Sequence, residues 1–346
     1  MRRIFISGAA GFIASHLVDA FMANGDFVIG VDDLSGGEMA NLDFAIRRPH
    51  QFKFYQSDLT DYAETEEIFR AHRPGIIYHC AAQAHEGASF YDPYFIVRSN
   101  SYMSSIIFEL AVKYGAEKIV YTSSTSRYGA QKVPFIENMK PKPADIYASQ
   151  KVASEEMLKM LCDLHGIKYS IAVPRNVFGP RQSMRDLYRN FITLSMNKIL
   201  RGEPISIYGK NHVRSFSYIE DCLPSFVKLA NADVCNGEVV NIGGMQEVCI
   251  IDAAKEIIGH FPDKEIKIEE LPPRYGEVEI CYASSAKSIE LLGYEEKVGW
   301  REGIAITAEW CKKKGPQEWR PYFLPLLNES APKPWREFAQ GTHSKN

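Results

Sequence analysis

Tyr147 and Lys151 have side chains and a spacing that suit proton transfer. They are four positions apart in the segment YASQKVASEEML, whose pattern predicts a helix, and residues at that spacing share one helix face. A nearby ammonium stabilises a phenolate and lowers the pKa of a tyrosine from its ordinary value of about 10. Such a tyrosine can take the proton of an alcohol while hydride leaves the same carbon. A surface pair that arises by chance has the same spacing, so the pattern needs support from other residues.

A serine that follows a predicted strand can assist the same reaction. The segment Lys118–Thr122 has the pattern of a buried strand and continues into Ser123-Ser124-Thr125. The carboxyl ends of parallel strands form the edge at which such sheets bind ligands. We therefore expect Ser124 to hydrogen-bond the reacting oxygen and to orient Tyr147.

A glycine-containing turn near the start of the chain has the arrangement of a phosphate-binding loop. A predicted strand, Ile4–Ser7, runs into Gly8-Ala-Ala-Gly11, and a predicted helix opens at Ser15. Glycines let the backbone approach a pyrophosphate, and the helix N-terminus offers unpaired N–H groups and a positive dipole end. An ordinary strand–helix turn is the alternative reading of this short motif.

An acidic pair strengthens the interpretation of the glycine loop. The next predicted strand, Phe27–Val31, ends on Asp32-Asp33, about 20 residues after the loop, where a carboxylate accepts the ribose hydroxyls of an adenosine. No Arg or Lys follows before Arg47, so the pattern favours NAD over NADP. The alternative is a solvated acidic pair at a strand end.

The elements that must position these residues alternate along the first half of the chain. The predicted strands are Ile4–Ser7, Phe27–Val31, Lys53–Gln56, Gly75–His79, Lys118–Thr122 and Tyr169–Val173. The segments with helical periodicity are Ser15–Asn24, Thr65–Ala71, Asn100–Tyr114 and Tyr147–His165. The alternation predicts an α/β fold with a doubly wound parallel sheet of Rossmann type.

The pattern changes after about residue 175, where turns rich in Gly and Pro separate shorter elements. We expect residues 1–174 to form an NAD-binding domain, with 214–240 packing back on it. Residues 175–213 and 241–335 are expected to form a smaller α+β substrate domain. The polar end, 336–346, is expected to be a disordered tail.

Composition excludes several classes of protein. The 346 residues include 40 basic and 43 acidic side chains, which is not the charge balance of a nucleic-acid-binding or membrane-surface protein. No apolar segment approaches the roughly 20 residues that span a bilayer, and the N-terminus lacks a signal-peptide core. The seven cysteines contain no C-x-x-C pair, so neither a disulfide framework nor a metal site is expected. These features predict a cytoplasmic protein.

Taken together, the motifs resemble those of the extended short-chain dehydrogenase/reductases, and among them the nucleotide-sugar epimerases and dehydratases similar to UDP-glucose 4-epimerase. The resemblance covers about residues 3 to 335. The matching segments are SGAAGFIASHL, VDDLSGG, SDLTD, HCAAQA, TSSTSRYG, YASQK, RNVFGPRQ, ISIYG, VRSFSYIED, VNIGG and PPRYGEV. Their number and order make the resemblance specific.

The resemblance implies a role for each matching residue. The residues implied to bind NAD are Gly8, Gly11, Phe12 and Ile13 at the pyrophosphate, Asp32, Asp33 and Ser35 at the adenosine ribose and nearby phosphate, Asp58 and Leu59 at the adenine, and Ala81, Ala82, Gln83, Lys151 and Pro174 around the nicotinamide. The residues implied to act on or bind the substrate are Tyr147, Lys151 and Ser124 as catalytic groups, Asn176, Arg214 and Arg274 at a diphosphate, and Cys281. Guanidinium groups bind a diphosphate through paired, charge-assisted hydrogen bonds.

Cys281 is implied to line the pocket near the 2-substituent of the sugar. It stands seven positions after Arg274, where a tyrosine restricts relatives of this type to unsubstituted hexoses and a smaller residue admits an N-acetyl group. The alternative is a buried core thiol with no contact to the ligand. Two further features have no assigned function. Arg127 replaces an apolar residue and pairs with either a substrate carboxylate or a structural acid, and the segment WRPYFLPLLNESAPKPW extends the chain.

Several reactions use the same Tyr–Lys pair, so the fold alone does not identify the activity. Dehydratases and decarboxylases carry an extra acid after the strand serine, whereas this chain has Thr125 and Ser126. The leading hypothesis is therefore a nucleotide-sugar 4-epimerase, with a UDP-hexose as substrate. The alternatives are a nucleotide-sugar dehydrogenase or reductase, then a dehydratase, and lastly a catalytically silent NAD-binding protein. A homodimer, paired through helices near 100–114 and 147–162, is implied by the resemblance.

Overall fold

A large parallel sheet forms the centre of the protein in a computed structural model, which describes residues 1–188, 191–320 and 328–343. The sheet has seven strands in the order β11-β6-β5-β4-β1-β2-β3. From the central β1 the chain builds outward through β2 and β3, and then returns to build β4, β5 and β6 on the other side. The crevice between β1 and β4 is the point where the direction reverses, and sheets of this kind bind ligands at the carboxyl ends of strands there.

The strands agree with the sequence prediction for the first half of the chain. The strands of the large sheet are β1 (Arg3–Ser7), β2 (Phe27–Asp32), β3 (Phe52–Gln56), β4 (Ile76–His79), β5 (Lys118–Thr122), β6 (Lys168–Pro174) and β11 (Glu238–Ile242). Each of the first six lies within one residue of its predicted limits at both ends. Most of their residues are buried on both faces of the sheet, which explains why they are continuous apolar segments rather than alternating ones. The seventh strand, β11, was not predicted.

Helices cover both faces of this sheet. In chain order they are α1 (Phe12–Ala23), α2 (Asp43–Ile46), α3 (Tyr62–His72), α4 (Pro93–Val97), α5 (Met103–Lys113), α6 (Ile146–His165), α7 (Phe191–Arg201), α8 (Ile219–Asn231), α9 (Ile250–Gly259), α10 (Ala286–Leu292), α11 (Gly299–Lys314) and α12 (Lys333–His343). Three predicted helix boundaries were wrong, including the start of α3, which lies at Tyr62 rather than Thr65. α1 begins earlier than Ser15 because Gly11 already serves as its N-cap, and a π-helical turn over Arg98–Tyr102 precedes α5.

Side chains from alternate positions of the strands pack on opposite faces. One core contains Phe5, Ile29, Ile77, Ile119 and Ile171 together with residues of α3, α5 and α6. The other core contains Ile4, Ile6, Val28, Tyr78 and Val120 together with residues of α1 and α8. α8 contacts both α1 and β6, and β11 pairs with β6 in parallel. Residues 219–242 therefore complete the large sheet, although the smaller elements surround them in sequence.

The remaining strands are short and belong to three small sheets. Their members are β7 (Val177–Phe178), β8 (Ile205–Tyr208), β9 (Val213–Arg214), β10 (Ser217–Tyr218), β12 (Val248–Cys249), β13 (Ile268–Leu271) and β14 (Ile280–Cys281). β7 pairs with β10, β8 with β13, and β9 with both β12 and β14. These sheets place β9 and β14 over the carboxyl edge of the large sheet, next to the predicted substrate residues.

The end of the chain differs from the disordered tail expected over 336–346. α12 extends to His343, while residues 344–346 lie outside the described part. The side chain of Trp335, at the start of α12, is buried against Tyr188, Ala88 and Leu187. The ring centroids of Trp335 and Tyr188 are 5.1 Å apart. Burial of this large side chain supplies apolar stabilisation that a free polar tail would lack.

Candidate active site

Tyr147 and Lys151 stand in the first two turns of α6 and face the same cavity. Both are almost fully buried, at 4% and 2% exposure. The Lys151 ammonium lies 5.9 Å from the centroid of the Tyr147 ring and donates a hydrogen bond of 2.7 Å to the carbonyl of Thr122, at the end of β5. The ammonium is thus fixed where its charge can stabilise negative charge that develops on the tyrosine oxygen.

Asp145 begins α6 and so fixes the position of Tyr147. Its carboxylate accepts a hydrogen bond of 2.7 Å from the backbone N–H of Ala148, which is the usual contact of an N-cap residue. Burial and, to a smaller extent, the nearby charge of Glu86 raise the pKa of Asp145 to about 7. The sequence analysis did not single out Asp145, although an aspartate two residues before the tyrosine is a visible N-cap signal.

Ser124 lies after β5 and joins a short chain of hydroxyl groups. Its Oγ is 2.8 Å from the Oγ of Ser126, and Ser126 Oγ donates a hydrogen bond of 3.2 Å to a carboxylate oxygen of Glu86. A hydroxyl group has one proton, and Ser126 donates its proton to Glu86. The hydrogen bond between the two serines must therefore be donated by Ser124. The Ser124 oxygen then faces the cavity as an acceptor. Glu86 gave no signal in the sequence.

A buried ion pair lies behind these residues. Arg127 Nη2 is 2.8 Å from Glu155 Oε2, with both side chains almost completely buried. The second carboxylate oxygen of Glu155 accepts a hydrogen bond from Ser123 Oγ. Of the two partners considered for Arg127, the structure contains the structural acid. Arg127 does not line the cavity in the described part of the chain.

The glycine loop has the geometry that a phosphate-binding turn requires. Gly8 has φ of +69°, and a Cβ added there would lie 2.9 Å from the Cα of Ala81, so a side chain is excluded both by conformation and by space. Asp32, at the end of β2, accepts hydrogen bonds from the backbone N–H groups of Ala10, at 3.0 Å, and Leu34, at 2.8 Å. Burial raises the pKa of Asp32 to about 6, and the neighbouring Asp33 adds to the shift.

The other residues predicted for the adenosine half follow the carboxyl ends of β2, β3 and β4. Asp33 accepts hydrogen bonds from both the backbone and the hydroxyl of Ser35, and Gln83 Nε2 donates to that hydroxyl over 3.2 Å. Asp58 forms an ion pair of 2.9 Å with Arg98. The side chain of the next residue, Leu59, is buried. The Oε1 atom of Gln83 is buried and has no hydrogen-bond partner among the described residues.

A cavity of about 400 Å³ extends from the glycine loop to the small sheets. The predicted residues that line it are Phe12, Ile13, Ala82, Ser124, Tyr147, Lys151, Pro174, Asn176, Arg214, Arg274 and Cys281. The predicted residues outside this lining are Gly8 and Gly11 of the glycine loop, Asp32, Asp33, Ser35, Asp58 and Leu59 of the adenosine half, and Ala81 and Gln83, which were predicted around the nicotinamide. Asn176 is held at φ of +32°, an uncommon conformation for a residue with a side chain that is often found at functional sites.

The two predicted diphosphate arginines meet at one carboxylate. Arg274 Nη2 lies 3.0 Å from Glu277 Oε1, and Arg214 Nη2 lies 3.5 Å from the same oxygen. Burial opposes ionisation of Glu277, but the charges of Arg274 and Arg214 outweigh it and hold the pKa of this carboxyl below its ordinary value. Glu277 thus keeps both guanidinium groups in the cavity. Its position three residues after Arg274 was available in the sequence and was missed.

Aromatic side chains and the predicted pocket thiol form a further part of the cavity wall. The Arg274 guanidinium lies 4.8 Å from the ring centroid of Tyr208 and 5.7 Å from that of Trp335. Cys281, in β14, is half-buried at the cavity wall, and burial raises the pKa of its thiol. Its contact with a sugar substituent stays a prediction. Trp335 belongs to the C-terminal segment that the sequence analysis left without a function.

The sequence model of the NAD dependent epimerase/dehydratase family matches residues 4–243. The chain belongs to this family. Over about nine-tenths of its length the chain is also similar to curated enzymes. It is 33% identical to a UDP-glucose 4-epimerase of Mycolicibacterium smegmatis over 90% of this chain and 99% of that protein. It is 29% identical to a UDP-glucuronate 4-epimerase of Thermodesulfobacterium geofontis over 89% of this chain and 95% of that protein.

The fold is also similar to that of a solved structure. The UDP-glucose 4-epimerase of Thermotoga maritima, determined with UDP-glucose, superposes with a TM-score of 0.83 at 31% identity and covers 90% of this chain and 99% of that chain. The predicted resemblance to extended short-chain dehydrogenase/reductases, the Rossmann-type sheet and the assignment to NAD-dependent nucleotide-sugar epimerases and dehydratases are confirmed. In the described residues, no helix is both long and apolar enough to cross a membrane.

NAD is the cofactor of this family, and the residues present fit it. The N-cap of α1 is Gly11, so no side chain caps the first N–H groups of this helix, and these groups can bind a pyrophosphate. The unpartnered Oε1 of Gln83 offers an acceptor at a residue predicted to lie beside the nicotinamide ribose. Phe12, Lys151 and Pro174 line the end of the cavity where a nicotinamide would lie. The individual contacts with NAD stay predictions.

Proposed function

We propose that the protein is a nucleotide-sugar 4-epimerase, which oxidises C4 transiently to a ketone and reduces it from the opposite face. One observation carries the proposal: Tyr147, Lys151 and Ser124 converge on one end of a cavity whose other end contains Arg214 and Arg274. A nucleotide sugar has the matching order of groups, with a reactive hydroxyl at one end and a diphosphate beyond it. Two of the similar proteins are 4-epimerases by name.

Tyr147, Ser124 and Lys151 each have a separate role in the proton transfer. The phenolic oxygen of Tyr147 takes the proton of the C4 hydroxyl, and the Ser124 hydroxyl, turned from Ser126 towards the substrate, donates a hydrogen bond to the C4 oxygen and holds it in place. Lys151 stabilises the charge that develops on Tyr147. NAD, when bound, accepts the hydride from C4 and returns it. Tyr147 then gives its proton back to the C4 oxygen, which completes the epimer without net oxidation.

Inversion requires the keto sugar to present its other face to the same groups. Arg214 and Arg274 can hold the diphosphate at one end while the sugar turns at the other. The cavity of about 400 Å³ is in the range of ordinary small-molecule sites. We further propose that residues 1–174 with 214–240 bind NAD, and that 175–213 with 241–335 bind the nucleotide sugar.

A specific observation favours a dehydratase as the second candidate. Elimination of water needs an acid or base beyond the tyrosine, and the sequence offers none at Thr125 or Ser126. The structure brings the carboxylate of Glu86 to Ser126 from another part of the chain. The lack of an acid at positions 125 and 126 is therefore a weaker argument against elimination, because Glu86 supplies a carboxylate at the same place.

Incubation of the purified protein with UDP-glucose, UDP-N-acetylglucosamine and UDP-glucuronate tests the proposal. NMR of the products should show the C4 epimer of at least one sugar in equilibrium with its substrate, without accumulation of NADH. NADH formed in proportion to substrate would show a dehydrogenase, and a 4-keto-6-deoxy sugar would show a dehydratase. Either result contradicts the proposal.

We also propose a homodimer formed through α4, α5 and α6. Large apolar side chains on this side are exposed, among them Tyr94, Tyr102, Met160 and Leu164, and such patches mark interaction surfaces. Sedimentation should give a dimer, which M160E/L164E converts to a monomer, whereas a monomeric wild type would contradict this.

All seven cysteines are free thiols, which supports the predicted cytoplasmic location.

A further inference from the structure

Glu86 places a negative charge at the reacting end of the cavity. It belongs to the loop after β4, lines the cavity and accepts the hydrogen bond of Ser126 at 3.2 Å. Ser126 in turn bonds Ser124. The carboxylate is therefore two hydroxyl groups away from the serine that we assign to the reacting sugar hydroxyl, and it is open to the cavity rather than part of the core.

No cation of the described residues forms an ion pair with this carboxylate. In residues 1–188, 191–320 and 328–343, no Lys, Arg or His nitrogen lies within 4.0 Å of a Glu86 oxygen. The basic groups that line the cavity have other partners: the Lys151 ammonium bonds the Thr122 carbonyl, Lys198 bonds Ser206 Oγ at 2.9 Å, and Arg214 and Arg274 share Glu277. The charge of Glu86 consequently acts on whatever sugar substituent comes near it.

Asp145 is a second acidic residue in this part of the cavity, and its negative charge would also repel a substrate carboxylate. Asp145 also lines the cavity, and Glu86 is close enough to affect its ionisation. Guanidinium groups line the same cavity, and Arg274 is close enough to Glu86 for the two charges to interact without forming an ion pair. Tyr188, Tyr208 and Tyr275 complete the titratable lining beyond these groups, together with the thiols of Cys80 and Cys281.

We propose that Glu86 determines the substrate class by excluding nucleotide sugars that carry a carboxylate on the hexose. This inference rests on the proposed action on nucleotide sugars. A uronate would bring a second carboxylate into the cavity beside Glu86, which is exposed and has no ion-pair partner among the described residues, and like charges there repel each other, most of all at low ionic strength. Neutral hexoses and N-acetylhexosamines do not meet this repulsion. Because proteins similar to this chain include both UDP-glucose and UDP-glucuronate 4-epimerases, the family alone does not determine the sugar.

The test compares binding of UDP-glucose and UDP-glucuronate to the NAD-loaded protein by calorimetry. The wild type should bind UDP-glucose at least about tenfold more tightly. Glu86→Gln should reduce this ratio to less than about threefold, mainly through tighter binding of UDP-glucuronate. Glu67→Gln removes the same charge from an exposed position of α3 outside the cavity and should leave the ratio unchanged. Raising the salt concentration should bring the affinities of the wild type for the two sugars closer together. This measurement does not depend on a variant that folds.

Equal binding of the two sugars by the wild type would overturn the proposal, as would a ratio that neither Glu86→Gln nor salt changes. The ratio is a binding quantity, so it is separable from turnover. An intact ratio without any epimer would contradict only the proposed function, whereas efficient epimerisation of UDP-glucuronate by the wild type would contradict only the role of Glu86. Failure to bind either sugar nucleotide would overturn both.

Discussion

At the reacting end of the cavity, Tyr147 and Lys151 stand on a helix of 20 residues, and a backbone carbonyl of the large sheet holds the ammonium. Elsewhere in the cavity, Arg214 comes from a strand of two residues and donates to the backbone carbonyls of Val213 and Glu279, whereas Arg274 comes from a loop and is held by the side chain of Glu277, which also contacts Arg214. The first arrangement depends on backbone that is buried on both sides. The second depends on short, partly exposed segments and, for Arg274, on an ion pair between side chains.

This difference indicates how each end responds to a ligand. A group held by a strand end keeps its place whether or not substrate is present, which suits proton transfer, where small displacements reduce the rate. A guanidinium shared with a carboxylate can redistribute its hydrogen bonds when a diphosphate arrives. We therefore expect substitutions at the first end to act on turnover, and substitutions at the second end to act on affinity.

The largest effect is expected from Tyr147→Phe. Loss of the proton acceptor should reduce kcat by about 10²–10⁴-fold, while NAD binding and the thermal unfolding temperature stay near those of the wild type. Tyr102→Phe, which removes an exposed hydroxyl outside the cavity, is the matched control. Near-normal turnover of Tyr147→Phe would show that another group is the base.

Arg274→Met should act mainly on affinity. Removing the charge while keeping much of the side-chain volume should raise KM about 10- to 100-fold and lower kcat much less. Arg301→Met, at an exposed site away from the cavity, should leave both constants unchanged. A loss confined to kcat would mean that the two ends are not separate in function.

The buried acid at the reacting end should appear in the pH dependence of stability. The pKa of Asp145, raised to about 7, exceeds its value in the unfolded chain, so the stabilisation by its proton is lost as the pH rises through about 7. Asp145→Asn keeps a good N-cap residue and should lose less stability than the wild type between pH 4 and 8, by on the order of 1–2 kcal/mol. Denaturant unfolding at several pH values measures this, and parallel curves for the two proteins would contradict it.

The smallest predicted effect concerns Cys281, at the far wall. Cys281→Tyr should reduce activity on an N-acetylated nucleotide sugar at least about fivefold more than activity on the plain hexose, because the added ring overlaps the acetamido volume. Cys281→Ser controls for loss of the thiol without added volume. Parallel loss of both activities, or loss of neither, would show that Cys281 does not contact this substituent.

The sequence predicted the large sheet and the reacting end well for identifiable reasons. Strands buried on both faces are continuous apolar segments, and Gly8, Asp32, Tyr147 and Lys151 lie within short motifs whose spacing reflects one turn or one helix face. The strand β11 was missed because its register depends on pairing with β6, far away in sequence.

The groups missed at the site come from contacts between distant segments. Glu86 reaches Ser126 across 40 residues, and Trp335 reaches Tyr188 from the end of the chain. No local pattern marks either residue. Asp145 and Glu277 are different, since an N-cap and an i,i+3 ion pair are local signals that were present in the sequence.

A nucleotide sugar deuterated at C4 tests the central claim most directly. The protein, NAD and the labelled UDP-hexose are incubated together, and NMR locates the deuterium in the products. Transient oxidation with return of the same hydride predicts an epimer that retains the label at C4, with no label in free NADH. Deuterium at C6, as elimination of water would give, or deuterium in released NADH would contradict the claim that Tyr147, Lys151 and Ser124 carry out a 4-epimerisation.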